Sequence, residues 1–180
     1  KTPQNFYHFN LIARRFPNAR FIFLFRDPRY ILASYKYASG DGHDSRRYHP
    51  LIYALYWRSA VRFFMRLGRD SRVLMVRYED LLTSASTVCS KLSDFLSTSI
   101  EQTDLSSLGH NSSFGGRGRR TITSTEAWLC QKVCHLEMQR LGYKPDDVRP
   151  RLSHLPELLI ISARFLAFQL WRVASDGDSR

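Results

Sequence analysis

The chain has 180 residues, with 27 lysines and arginines against 16 aspartates and glutamates and a formal net charge of +11. A hydrophobic share of 43%, with 13% aromatic residues, excludes intrinsic disorder, which pairs low hydrophobicity with high charge, and the length suits one domain or two small ones. No uncharged apolar run reaches the roughly 18 residues of a membrane-spanning helix, and the basic excess points to an anionic partner: nucleic acid, acidic glycan, nucleotide or anionic membrane.

Residues 5–15 predict an amphipathic helix with Phe6, Leu11 and Ile12 apolar, broken at Phe16, Pro17 and Asn18. The run 20–25 is almost continuously apolar, as in a strand covered on both faces of a parallel sheet. Asp27 then offers an N-cap and Pro28 a first helical residue for a helix over 28–38. After a polar loop, Pro50 opens a helix to Leu67, whose Ala54, Trp57, Val61, Phe64 and Met65 share a face and which Gly68 stops. Residues 72–77 predict a second buried strand, leading through Tyr78, Glu79 and Asp80 to a helix over 85–96. Glu79 reads as an anchor for that turn.

Residues 97–120 form a long polar stretch with little regular pattern. Thr123 and Glu126 have capping-box spacing for a helix that places Leu129, Val133 and Leu136 on one face and ends at Gly142. A last helix over 155–173 is the most apolar stretch and predicts packing onto the sheet or onto a partner, with a membrane-surface role as the minor reading. Cys130 and Cys134 stand four apart on one helix, poorly aimed for a mutual disulfide, while Cys89 is open to pairing with either. No zinc-ligand spacing occurs, and the three thiols read as small apolar residues. The six histidines are dispersed and read as solvated loop residues. His43 and His49, which flank the loop after the motif helix, offer a catalytic base as the minor reading.

The alternation of strands and helices gives an α/β class with a parallel sheet. Two strands are few for a self-sufficient sheet, so further strands are expected upstream of Lys1. In such sheets ligands sit outside the carboxyl ends of the strands, where a helix N-terminus favours phosphate. Arg26 adds a planar fork for phosphate oxygens, and Ser34 lies about 9 Å further along the helix. On these residues alone a second reading stays open: a surface Arg26–Asp27 pair, with Ser34 against a neighbouring helix.

The segment from Phe23 through Arg26, Asp27 and Pro28 to Ser34 resembles the 3′-phosphate-binding motif of sulfotransferases that use 3′-phosphoadenosine 5′-phosphosulfate (PAPS). Three further pieces agree in order. They are Lys1-Thr2-Pro3, the Tyr78-Glu79-Asp80-Leu81 at a strand end, and the basic glycine-containing stretch 115–120 before a helix carrying Trp128 and a closing Leu141-Gly142-Tyr143. The resemblance implies a P-loop-NTPase-like parallel sheet flanked by helices, incomplete at the N-terminus. Residues 1–150 would form a partial sulfotransferase domain, and residues 151–180 an amphipathic helix with a polar tail. It implies PAPS as co-substrate, no metal, and sulfonate transfer to a hydroxyl or amine, most naturally on a glycan.

By the same resemblance Arg26 and Ser34 hold the 3′-phosphate, Arg117, Gly118 and Arg119 close over the cofactor, and Lys1 stabilises the transferring group. The family's 5′-phosphosulfate loop, its general base and any membrane anchor are expected upstream of Lys1, so the isolated chain is expected to be inactive. A eukaryotic carbohydrate-type member would reside in the Golgi lumen. The resemblance points away from nucleic acid; the competing reading is a non-enzymatic basic module that binds acidic glycan or nucleic acid.

Overall fold

The computed structural model describes residues 3–37, 45–68, 70–100 and 120–177. Nine helical and strand elements follow in chain order: α1 (Phe9–Arg15), β1 (Phe21–Phe25), α2 (Pro28–Tyr37), α3 (Pro50–Leu67), β2 (Val73–Arg77), α4 (Tyr78–Thr83), α5 (Ala85–Leu96), α6 (Ser124–Arg140) and α7 (Leu155–Gly177). Short 3-10 turns cover Pro3–His8, Ser45–Arg47 and Leu152–His154. The chain divides into two compact units, one of Lys1–Arg26 with Ser59–His110 and one of Asp27–Arg58 with Asn111–Arg180.

In the first unit β1 and β2 pair in parallel, with Phe21 opposite Val73 and Phe25 opposite Arg77. A parallel pair needs a long crossover, and α2 and α3 lie between the two strands in the chain. The unit is held by rings. Phe9 sits 4.5 Å from Phe21, Phe6 lies 5.7 Å from Phe63, and Phe23 and Phe25 lie 5.6 and 5.5 Å from Phe64. Tilted and edge-on pairs of this kind add about 0.5–1.5 kcal/mol each beyond the area they bury. All the rings of β1 come from its odd positions, so one pleat face is packed. The other is not: Ile22 is 45% and Leu24 50% exposed. The expected burial of this strand on both faces is therefore corrected to one face among the described residues.

The second unit packs Leu32, Ala33, Ala54, Trp57, Cys130, Cys134 and Met138 into a buried core. Trp57 meets Tyr143 edge-on at 6.3 Å, and the Cys134 thiol donates to the Ala54 carbonyl at 3.3 Å. All three cysteines are free; the hydrogen bond with Cys134, together with burial, pushes the Cys130 thiol far up, and the two fully buried thiols serve as small core residues. Gly142, at φ 73°, takes the left-handed turn just past α6 that a side chain would strain.

The predicted helix over 5–15 is split, with a 3-10 turn before α1, and α4 is a short helix that its sequence did not announce. Glu79 and Asp80 lie in the first turn of α4, where acidic side chains complement the helix dipole. Glu79 thus has the anchoring place expected of it.

Candidate functional site

Arg26 follows β1 directly, and Tyr78 follows β2 directly. Since Phe25 and Arg77 are register partners, the two residues emerge side by side at the carboxyl end of the sheet. The Arg26 guanidinium lies over the Tyr78 ring, 4.7 Å from its centroid. Stacking of this kind fixes the plane of the guanidinium and leaves its edge as the hydrogen-bonding side. Tyr78 was read only as part of a motif; its strand-end position opposite the Arg26 strand is the signal that assigns it a positioning role.

The turn into α2 is built by Asp27. Its carboxylate accepts the Arg29 backbone N–H at 2.9 Å, and its carbonyl accepts from Tyr30 and Ile31 at 3.1 and 3.2 Å. Pro28 has no N–H, so every donor of the first turn is already used. The sequence expectation of a phosphate seated on this helix N-terminus is corrected accordingly: a buried carboxylate occupies that place. Asp27 is itself buried, and Arg29 donates Nε to it at 2.9 Å while its other nitrogens reach the Gln131 side chain, the Lys144 carbonyl and Asp146. The hydrogen bond to Asp27, outweighing burial, drives the Arg29 pKa upward. We expect Asp27→Asn, which keeps a cap but removes the charge, to lower stability by about 2 kcal/mol in a denaturant titration.

Ser34 lies partly buried in α2, beside the buried Leu32 and Ala33. Tyr37 lies one turn further on and shares its side of the helix. The Arg120 guanidinium sits over the Tyr37 ring at 5.4 Å. The last residue of the basic stretch is thus held beside α2, one turn beyond Ser34. Lys1, Arg117, Gly118 and Arg119 lie outside the described residues.

The partners that Glu126 draws from Lys36 and Tyr48 are not legible in the sequence. Glu126, the capping-box residue of α6, accepts from the Thr123 backbone at 2.8 Å, from Lys36 at 2.8 Å and from the Tyr48 hydroxyl at 2.9 Å. Burial alone would raise its pKa, but Lys36 and Thr123 hold it below the ordinary glutamate range. Burial, with Glu126 beside it, pushes the Tyr48 phenol far up, so Tyr48 stays a neutral donor. Lys36 also reaches Glu157 of α7 at 2.7 Å.

His49, expected as a solvated loop residue, is partly buried against the Phe165 ring at 5.3 Å and bonded to Ser162 at 3.1 Å. Ser162 spends its one proton on the Leu158 carbonyl, so His49 Nε2 is the donor. Burial pulls the His49 pKa down, and its Nδ1 is buried with no acceptor for a second proton among the described residues.

Arg26, stacked on Tyr78, stands at the carboxyl end of the parallel pair, the end at which such sheets bind ligands. A family model described as "Sulfotransferase family" matches residues 1–102, and the chain belongs to that family. The membership brings sulfonate transfer, and with it a nucleotide co-substrate and an acceptor. Comparison with curated proteins and with solved structures gives no match.

Proposed function

We propose that this protein transfers a sulfonate group from PAPS to a hydroxyl or amine on a glycan. The observation that carries the reading is Arg26. It stands at the carboxyl end of β1, inside the family match, stacked on Tyr78, and opens the Arg26…Ser34 spacing. In this reading Arg26 and Ser34 hold the 3′-phosphate by their side chains, and the backbone N–H of Arg29 in the first turn of α2 stays with Asp27. Arg117, Gly118 and Arg119 close over the nucleotide. The position of Arg120, the next residue in the chain, over Tyr37 of the helix that bears Ser34 supports this.

In the transfer the acceptor oxygen or nitrogen forms a bond to sulfur as the bond from sulfur to the bridging phosphate oxygen breaks. The nucleotide 3′,5′-bisphosphate leaves and the acceptor proton passes to a base. Lys1 is assigned to the negative charge that gathers on the bridging oxygen, since such reactions are accelerated mainly by positioning and charge stabilisation. The half-open β1 face at Ile22 and Leu24 supports a P-loop-like domain with more elements than the described residues contain. The +11 charge supports an acidic glycan over a small neutral phenol.

The test is calorimetric titration of the full-length protein with 3′-phosphoadenosine 5′-phosphate. Saturable binding that survives moderate salt is expected. Binding that collapses steeply with salt and does not distinguish nucleotide from other polyanions would instead indicate a general anion binder. The 180 residues alone contain no glycine-rich phosphate loop with a following Lys-Ser or Lys-Thr. They are expected to show no turnover in a radiolabelled sulfonate-transfer assay.

A further inference from the structure

Helix α7 has two unlike sides. Its inner stripe is tied to its own unit. Ser162 accepts from His49, Phe165 meets the His49 ring, buried Phe168 lies under the guanidinium groups of Arg46 and Arg47 at 5.3 and 5.5 Å, and Glu157 pairs with Lys36. The packing partner is thus the segment around Ser45–Arg47 and His49. At 100° per residue, the outer positions 155, 156, 159, 160, 163, 166, 167, 170, 171, 173 and 174 fall within an arc of about 160°. All of these positions are exposed, and none carries a charge. Leu159, Leu166 and Leu170 are 69%, 60% and 72% exposed. The arc runs about 28 Å along the helix.

The edges of the arc identify its occupant. Trp171 stands on one edge, with Arg46 5.8 Å from its ring, and Arg164 lies beside it, donating to the neutral hydroxyl of Ser45 at 2.9 Å. The helix's own acid within the described side chains, Glu157, is engaged by Lys36. An apolar face bordered by tryptophan and arginine is complementary to acyl chains beneath anionic headgroups. A protein interface would ask for about one hydrogen bond per 100–200 Å², and the arc offers one donor, the Trp171 indole at its margin. Among the described residues, Leu152–Ser175 is also long and apolar enough to cross a bilayer. Arg164 at mid-helix and the occupied inner stripe instead favour a helix lying in the plane of the surface.

We propose that the outer face of α7 docks the protein on an anionic lipid surface, with the apolar arc at the acyl boundary and Arg164 and Arg46 at the headgroups. This stands independently of the catalytic reading. The full chain is sedimented with phosphatidylcholine vesicles with and without phosphatidylserine. Binding is expected to the anionic vesicles, falling with added salt, and at least about tenfold weaker for the double variant Leu166→Glu/Leu170→Glu. Both positions are exposed, so circular dichroism melting should be unchanged. Leu136→Glu, at an exposed apolar site on α6, should bind as the unaltered chain does.

In the unaltered chain, acyl-brominated lipid should quench a fluorescence component that Trp171→Phe removes. No binding to anionic vesicles, equal binding to neutral ones, or binding indifferent to the double variant would overturn the proposal. Light scattering that shows a dimer abolished by the same variant, without vesicle binding, would give the face to a second copy instead.

Discussion

Arg26→Ala is expected to weaken binding of 3′-phosphoadenosine 5′-phosphate to the full-length protein by about 100-fold or more, with unfolding free energy changed by about 1 kcal/mol or less. A hydrogen bond to a charged group contributes about 1.5–3 kcal/mol, and a guanidinium edge makes two in parallel. Of its structural contacts, stacking on Tyr78 contributes about 0.5–1 kcal/mol. Arg26→Lys should restore little, because a point charge lacks the fork that the Tyr78 ring holds in plane. Ser34→Ala removes one hydroxyl and should weaken binding about tenfold. Calorimetry beside a denaturant titration separates the two effects. Unchanged nucleotide affinity in Arg26→Ala would remove this arginine from the site.

The largest effect on stability is expected for Glu126→Ala, at about 3–5 kcal/mol. Breaking a buried charge pair strands the remaining partner. Here the loss leaves Lys36 with the exposed Glu157 as its one carboxylate among the described residues, removes the acceptor of the buried Tyr48 hydroxyl, and opens the α6 cap at Thr123. The linkage to pH has a definite sign. The folded-state pKa of Glu126 is depressed below its unfolded value, so its contribution is full above the ordinary glutamate range. It is lost as pH falls through the folded value. Stability measured by urea unfolding should therefore drop on acidification in the natural chain, and drop less in Glu126→Gln, which cannot titrate there.

Much of the fold was legible in the sequence because its signals are local. Pro50 and Gly68 bracket α3, and α3 and α5 occupy the residues expected of them. Asp27 and Pro28 start α2, and the Thr123–Glu126 capping box starts α6. The family resemblance read from the sequence agrees with the family to which the chain belongs, matched over residues 1–102. What stayed illegible depends on neighbours far along the chain. Glu126 reads as a cap three residues from Thr123, yet it also joins α2 through Lys36 and the Tyr48 hydroxyl. Asp27 reads as an N-cap, yet its carboxylate also takes the Arg29 guanidinium, which Gln131 and the Lys144 carbonyl hold from more than a hundred residues away. Ile22 and Leu24 are as apolar as their strand neighbours, and their exposure follows from which pleat face the phenylalanines of α1 and α3 meet.

The sequence by itself determined the class of the chain, its α/β element order and its basic charge. These rest on residue type and short spacing, which a linear pattern preserves. Only the tertiary structure decided that Tyr78 stacks on Arg26, that the α2 N-terminus is filled, that His49 is a partly buried donor to α7, and that α7 turns an uncharged arc outward. Each of these depends on strand register or on side chains brought together from distant positions, which composition and periodicity do not encode.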